Sequence, residues 1–203
     1  MIPSDFPGNA YPFRFIREEP PHSPGGFLLE RFICPFRTHK GRHYIIQVEQ
    51  YQHHIYVLKF YLKAHRYQQD PEPKYYFQTN DGPAEAIRIL NTCLAVMLYL
   101  LKRDPLASGG FIGTPKPDEV GEKAINAQRF RIYSQIASDF FPPERWEHQH
   151  SPETNAYLLL NKAALTYQPD LLQKAQQMFQ ALYPDFSNSL SDTLRPVPPI
   201  RIG

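Results

Sequence analysis

The sequence predicts a mixed α+β protein, with a mostly antiparallel, twisted sheet of about six or seven strands, a central buried helix and further helices. Strand-like segments rich in Ile, Val, Tyr and Phe come early, and helical periodicities alternate with shorter apolar segments later. Strands grouped first, with helices interleaved after them, are typical of a mixed sheet covered by helices. The chain has 203 residues and a hydrophobic fraction of 42%, so it can bury a sizeable core without disulfides.

Proline marks the two ends of the chain. Of the 21 prolines, seven fall in residues 3–35 and four in residues 184–199. Proline-rich ends of this kind are typical of extended segments outside a packed core. The sequence therefore predicts an extended Pro/Gly-rich arm over residues 1–26, a single mixed α/β domain over residues 27–183 and a Pro-rich tail over residues 184–203.

Three strand-like segments precede the first long helix. The first is residues 27–36. Residues 43–50 and 55–63 follow, and their Ile, Val, Tyr and Phe content with partial alternation predicts a β-pair. In the first strand of that pair Tyr44, Ile46 and Val48 fall on one face, and Gln47 and Glu49 fall on the other.

The clearest predicted element is a helix over residues 81–103, preceded by a short strand at residues 75–78. Residues 80–83, Asn-Asp-Gly-Pro, supply a cap and an early proline. Apolar residues then recur at helical spacing from Ile87 to Leu101. The C-terminal half is apolar all round, which predicts a central, buried position.

The rest of the chain alternates strands and helices. A Pro-Pro pair stops the second helix, and the last helix has one apolar side. The predicted elements are a strand at residues 109–113, a helix at 123–140, a β-pair at 146–150 and 156–161, and a helix at 169–182.

Charge and cysteine content indicate a soluble, cytoplasmic protein. The net charge of +2 is too small to indicate nucleic-acid binding. Cys34 and Cys93 form neither a disulfide framework nor a metal-type spacing, which fits a reducing compartment. Residues 1–7 lack the basic and apolar regions of a signal peptide. The longest apolar stretch, residues 94–101, is shorter than the roughly 20 residues of a membrane span, so no membrane association is expected.

A short segment of the second helix carries a family resemblance. In residues 126–136, Asn126 is followed seven residues later by Tyr133. This spacing, with the element order over about residues 27–162, resembles the GNAT superfamily of acetyl-CoA-dependent N-acyltransferases. That fold has an antiparallel run of strands, a helix, a strand, a helix and two final strands. The resemblance implies that Tyr133 is the general acid that protonates the CoA sulfur, and that Asn126 contacts CoA.

The loop before the long helix extends the resemblance. GNAT proteins place a Gln/Arg-x-x-Gly-x-Gly/Ala loop there, whose backbone N–H groups hold the pyrophosphate. In this chain the loop has one extra residue, Pro83 removes one donor and Asp81 adds a negative charge. The residues that the resemblance implies for binding acetyl-CoA or CoA are Gln78, Asn80, Gly82 and Ala84.

Some of these residues have simpler interpretations. Tyr133 continues a helical stripe with Phe130 and Ala137, so it is also explained by packing. His148 and His150 share one strand face, but two histidines make a poor metal site, and no metal is expected.

Two other classes of function fit parts of the sequence. Residues 3–26 and 184–202 carry spaced apolar side chains and are candidate binding segments for a protein partner. Residues 31–44 interleave basic and aromatic side chains, as single-stranded nucleic-acid binders do. The low net charge instead favours a solvated hairpin, so nucleic acid is not an expected partner. The sequence indicates neither an acceptor substrate nor an oligomeric state.

Overall fold

The computed structural model describes residues 9–18, 26–68, 82–112, 128–151, 155–182 and 195–196. These residues form a mixed α+β protein with mostly antiparallel strands, which confirms the predicted fold class. The chain divides into two compact units. The first unit consists of Met1–Tyr51 and Val57–Pro105, and the second of Gln52–Tyr56 and Leu106–Gly203. A single domain over residues 27–183 stays a prediction.

The sheet strands of the first unit neighbour one another in chain order. They are β1 (Ile16–Glu18), β2 (Leu28–Arg37), β3 (His43–Tyr51) and β4 (Ile55–Leu62), whose first two residues belong to the second unit. β2 and β3 pair antiparallel, with Ile33 opposite Gln47 and Arg31 opposite Glu49. The three predicted strands in this region are confirmed to within one residue at each end.

Helix α1 (Pro83–Arg103) is the long helix of the first unit. Gly82 precedes it with a φ of 93°, a backbone conformation that favours glycine. Ile89, Val96 and Leu100 are buried, which confirms the predicted central helix. Within the described residues, α1 is the one helix long and apolar enough to cross a membrane, a length and composition that core helices of soluble proteins share.

The two faces of the first-unit sheet differ in character. One face packs against α1: the ring of Phe15 lies 4.6 Å from that of Phe32 on β2 and 5.1 Å from that of Tyr99 on α1, measured between centroids. Because successive residues of a strand face opposite sides, Arg31 and Glu49 lie on the other face. This second face is polar at its centre.

The segment predicted as an extended arm, residues 1–26, contains regular structure. Ile16–Glu18 pair antiparallel with β2 as strand β1. Tyr11 is buried, stacks on Phe36 with 5.6 Å between centroids, and donates its backbone N–H to Thr92 Oγ1 at 2.9 Å. For Tyr11 and Ile16–Glu18 the expectation of an extended arm outside the packed core is therefore wrong, because Tyr11 supplies part of the core and β1 extends the sheet.

The second unit alternates strands and helices. β7 lies between β5 and β6, antiparallel to both, and β8 pairs with β6. The predicted strands and helices of this region are confirmed where they are described, and the predicted strand at residues 75–78 lies outside the described residues. The elements are β5 (Ser108–Ile112), α2 (Gln128–Phe140), β6 (Trp146–Ser151), β7 (Ala156–Asn161), α3 (Lys162–Tyr167), α4 (Leu171–Leu182) and β8 (Arg195–Pro196).

The sequence did not predict α3 and β8. α3 is one short helix that follows β7 directly, and Asn161 caps it by accepting the N–H of Ala163 at 3.0 Å. β8 has two residues and lies in the predicted Pro-rich tail. Neither element is long enough to show a hydrophobic period.

Candidate functional site

Tyr133, the predicted general acid, lies on α2 and is half-buried. Its ring meets Phe111 of β5 edge to face, with 5.5 Å between centroids. Phe111 in turn stacks on Tyr157 of β7 at 4.9 Å. We call Phe111, Phe130, Tyr133 and Tyr157 the aromatic cluster of the second unit. This cluster positions the ring of Tyr133 against β5.

The packing interpretation of α2 is correct for part of the helix. Phe130 and Ala137 are 3% and 6% exposed, so they bury one side of α2. Phe140 extends the same spacing but is 45% exposed, because it lies in the last turn of the helix. The contact of Tyr133 with the cluster involves its ring, so packing and a chemical role for the hydroxyl are compatible.

His148 of β6 forms a hydrogen-bonded pair with Tyr157. His148 Nδ1 lies 2.5 Å from the Tyr157 hydroxyl, and Nε2 lies 2.8 Å from the carbonyl oxygen of Phe141. Because a carbonyl only accepts, Nε2 carries the proton and Nδ1 accepts from the hydroxyl.

The protonation of this pair follows from its burial. Burial lowers the pKa of His148, the nearby Lys162 lowers it further, and the bond to Phe141 only partly opposes them. Burial raises the pKa of Tyr157 against a hydrogen bond from Ser138. Both groups are therefore neutral at neutral pH, and their role is to join β6 to β7.

Within the described residues, no third ligand joins His148 and His150 to form a metal site. Both ring nitrogens of His148 have protein partners, and the ring of His150 lies 6.4 Å from that of Phe130. In the part of the chain that the structure describes, no group of three or more His, Cys, Asp or Glu side chains could hold a metal ion.

The predicted pyrophosphate loop ends at the start of α1. Gln78, Asn80 and Asn126 lie outside the described residues. Gly82 directly precedes the helix, and Ala84 is exposed in its first turn. First-turn backbone N–H groups are donors that bind anions, although a proline in that turn leaves one fewer. In the described part of the loop, Gly82 and Pro83 begin the helix, and Glu85 places a carboxylate in its first turn.

A polar cluster occupies the first two turns of α1. The hydroxyl of Tyr11 lies 2.7 and 2.9 Å from the two carboxylate oxygens of Glu85. The guanidinium of Arg88 lies 4.2 Å from the centre of the Tyr11 ring and also bonds to His39 Nε2. Burial and the Glu85 carboxylate raise the pKa of Tyr11. The cluster ties the N-terminal segment to α1 and occupies the Glu85 carboxylate.

Glu49, which the strand pattern places on the same face of β3 as Gln47, is the centre of a buried cluster. Its carboxylate accepts four bonds: Gln47 Nε2 at 2.8 Å and Arg31 Nη2 at 3.2 Å on Oε1, and the Tyr51 hydroxyl at 2.8 Å and Lys59 Nζ at 2.6 Å on Oε2. Glu49 is 4% exposed. We call these five residues the Glu49 cluster.

The Glu49 cluster holds its carboxylate in the ionised form. Burial alone would raise the pKa of Glu49, but the ammonium of Lys59, the hydroxyl of Tyr51 and the charge of Arg31 together lower it. An ionised, four-bonded carboxylate is a weak proton acceptor, and Glu49 orients the four side chains that bond to it. The available sequence signal was the pair of polar residues, 47 and 49, within an otherwise apolar strand.

The basic and aromatic segment at residues 31–44 is folded into the first unit. Phe32, Phe36 and Tyr44 are 7%, 4% and 1% exposed. Arg31 bonds to Glu49. The aromatic rings therefore face the core and are not available to stack on bases.

Comparisons with known protein families, with curated proteins and with solved structures find no match. The order of strands and helices, the aromatic cluster of the second unit and the start of α1 are therefore the features that bear on function.

Proposed function

We propose that the protein is a GNAT-like N-acyltransferase that transfers an acyl group from acetyl-CoA to an amine. The observation that carries the proposal is the order of elements: four strands, α1, β5, α2, β6 and β7. This is the order that the resemblance implies. Within the second unit, β7 lies between β5 and β6. β6 and β7, which correspond to the two final strands of the GNAT order, pair antiparallel.

Acyl transfer makes two demands on protons. The amine nitrogen forms a bond to the thioester carbonyl carbon, the C–S bond breaks, and its electron pair leaves on sulfur. The thiolate needs a proton, and the attacking nitrogen must lose one. Tyr133 is the candidate donor to the thiolate. Its phenol gives a proton to the sulfur and regains one from solvent, to which the amine releases its own.

The start of α1 is the candidate position for the CoA pyrophosphate. Gly82 and Ala84 bring backbone and a small side chain to the end of the helix where the dipole is positive. This end favours the negative charge of a pyrophosphate.

The proposal includes a cytoplasmic location. Cys34 and Cys93 are free thiols. Burial raises the pKa of both, which keeps them protonated and unreactive. Free, unreactive thiols are compatible with a reducing compartment.

Calorimetric titration of the purified protein with CoA and acetyl-CoA tests the proposal. We expect micromolar binding, followed by turnover in a screen of amines. Tyr133→Phe should bind CoA with unchanged affinity and lose about 100- to 10,000-fold in turnover, because it keeps the ring and loses the proton. Tyr167→Phe, at a position 82% exposed and outside the aromatic cluster, is the matched control.

Two results would count against this proposal. A folded protein, confirmed by its melting transition, that fails to bind CoA at millimolar concentration is not an acyltransferase of this kind. Full turnover in Tyr133→Phe would be compatible with acyltransferase activity but would show that Tyr133 is not the general acid.

A further inference from the structure

The hydrogen-bonded pair of His148 and Tyr157 also reaches α2, at two points. His148 Nε2 donates to the carbonyl oxygen of Phe141 at 2.8 Å. The Tyr157 hydroxyl donates to His148 Nδ1 and accepts a hydrogen bond from Ser138. Ser138 lies in the last turn of α2, and the N–H of Phe141 continues that turn by donating to the carbonyl oxygen of Ala137 at 3.0 Å. We call Ser138, Phe141, His148 and Tyr157 the α2 clamp.

The α2 clamp is covered, which limits the positions that α2 can take. Tyr157 and Phe141 are 2% and 4% exposed, and the ring of Phe141 packs edge to face on Trp146, with 5.1 Å between centroids. A buried polar group that loses its partner costs about 1–3 kcal/mol. A shift of α2 along the sheet would break the bonds of Tyr157 and His148 together. The clamp therefore fixes where the C-terminal end of α2 lies on β6 and β7.

The Tyr157 ring also connects the clamp to Tyr133 across the sheet. Phe111 lies directly opposite Tyr157 in the register of β5 and β7, and the two rings are parallel to within 9°. The ring of Tyr133 meets Phe111 at an angle of 80°. Along α2, Tyr133 lies about one and a half turns before Ser138. Tyr133 is thus held from two directions, through its own helix and through the stacked rings of β5 and β7.

We propose that the α2 clamp positions Tyr133, because its bonds fix α2 on the sheet and thereby fix the Tyr133 ring against Phe111. The consequence for catalysis rests on the proposed acyltransferase function, in which Tyr133 gives its proton to the thiolate. Ser138, Tyr157 and His148 act through Tyr133, so they are positioning residues. A misplacement of 1 Å in a reacting group can cost about 100-fold in rate. The clamp therefore affects turnover without giving up a proton itself.

Nuclear magnetic resonance tests the clamp without CoA, through the Overhauser effect between the ring protons of Tyr133 and Phe111. Tyr157→Phe keeps the stacked ring and removes its hydroxyl, and His148→Leu removes both bonds of the imidazole. We expect both variants to lose the effect. His148→Gln should keep it, because an amide can accept from the Tyr157 hydroxyl and donate to the Phe141 carbonyl. Tyr51→Phe, which loses a buried hydroxyl bonded at 2.8 Å in the first unit, is the matched control and should also keep it.

Turnover tests whether the positioned group is the acid. Tyr157→Phe should lower kcat by about 10- to 100-fold and leave the KM for acetyl-CoA unchanged. In a Tyr133→Phe background the same substitution should cause no further loss, because it acts through a hydroxyl that is already absent. An equal fractional loss of kcat with and without the Tyr133 hydroxyl would reveal a general structural effect and would overturn the positioning role.

The possible results separate the clamp from the acyltransferase. A protein that neither binds CoA nor acylates any amine is not an acyltransferase of this kind, and the ring contact then decides the clamp by itself. An unchanged Overhauser effect in folded Tyr157→Phe and His148→Leu overturns the clamp, whatever the activity. If both variants lack a melting transition, Ser138→Ala takes their place, since it removes one bond at the helix end. An unchanged effect in Ser138→Ala would then overturn the proposal.

Discussion

Replacing Glu49 by alanine removes the acceptor that holds the Glu49 cluster together. Gln47 and Tyr51 lose a buried partner, and Lys59 and Arg31 each lose a bonded carboxylate. Breaking a buried ion pair from one side costs about 3–5 kcal/mol. Because the two cationic side chains keep 24% and 21% exposure, water offsets part of this cost. We expect the free energy of unfolding to fall by about 2–4 kcal/mol.

Urea unfolding of the purified variants measures this loss. The matched control is Glu30→Ala, which removes the same side chain from an ion pair with Arg17 at 2.6 Å in the same unit. That pair is 32% and 72% exposed, and exposed pairs contribute about 0–1 kcal/mol. Equal losses in Glu49→Ala and Glu30→Ala would refute the reasoning, since burial would then have no effect.

Glu49→Ala should also change how the free energy of unfolding depends on pH in acid. The pKa of Glu49 is lower in the folded protein than its ordinary value of 4.5, because Lys59 and its other partners outweigh burial. As pH falls, the unfolded chain therefore binds a proton at Glu49 before the folded protein does. The stability that Glu49 contributes is fully present above pH 4.5, and it is lost as pH falls from 4.5 through the lower pKa of the folded protein. Below pH 4.5, the unmodified protein should lose stability more steeply than Glu49→Ala.

Two further predictions concern the second unit. The pKa of His148 lies below its ordinary 6.5, so the unmodified protein should lose stability as pH falls below 6.5, and His148→Gln should lose less. Unfolding free energies that depend on pH equally in both would contradict the role of His148. In Gly110→Ala, the added Cβ would lie 3.1 Å from the ring of Phe179, so we expect a loss of about 1 kcal/mol that Phe179→Leu restores. A raised melting temperature in Gly110→Ala alone would show that the ring of Phe179 moves aside freely.

Most of the fold was predictable because its elements have their own local signals. The long helix has a cap, an early proline and a sustained apolar period, and the structure places it at Pro83–Arg103. β3 and β4 show strand composition over eight residues or more. β1 was missed because it has three residues and follows a proline-rich segment. Its position depends on pairing with β2, and a partner strand leaves no signal in the local sequence.

The candidate site was predictable to the extent that its residues belong to one helix. Tyr133 was found from its spacing to Asn126 in the helix predicted over residues 123–140, and the structure places its ring against Phe111. The bond between His148 and Tyr157 joins two strands, so neither residue carried a signal of it. Burial of the aromatic rings at residues 31–44 was likewise decided by tertiary packing.

The Glu49 cluster is an arrangement of side chains that the sequence of a single strand cannot reveal. Arg31, Glu49 and Lys59 come from β2, β3 and β4, and each alone is an ordinary charged residue of a strand. Register makes the first two neighbours, since Arg31 lies opposite Glu49. Burial then decides the chemistry, because a covered carboxylate stays ionised only where it is paired or hydrogen-bonded, whereas water solvates an exposed one. The Glu49 cluster therefore depends on the alignment of three strands, and no one of them records it in its own sequence.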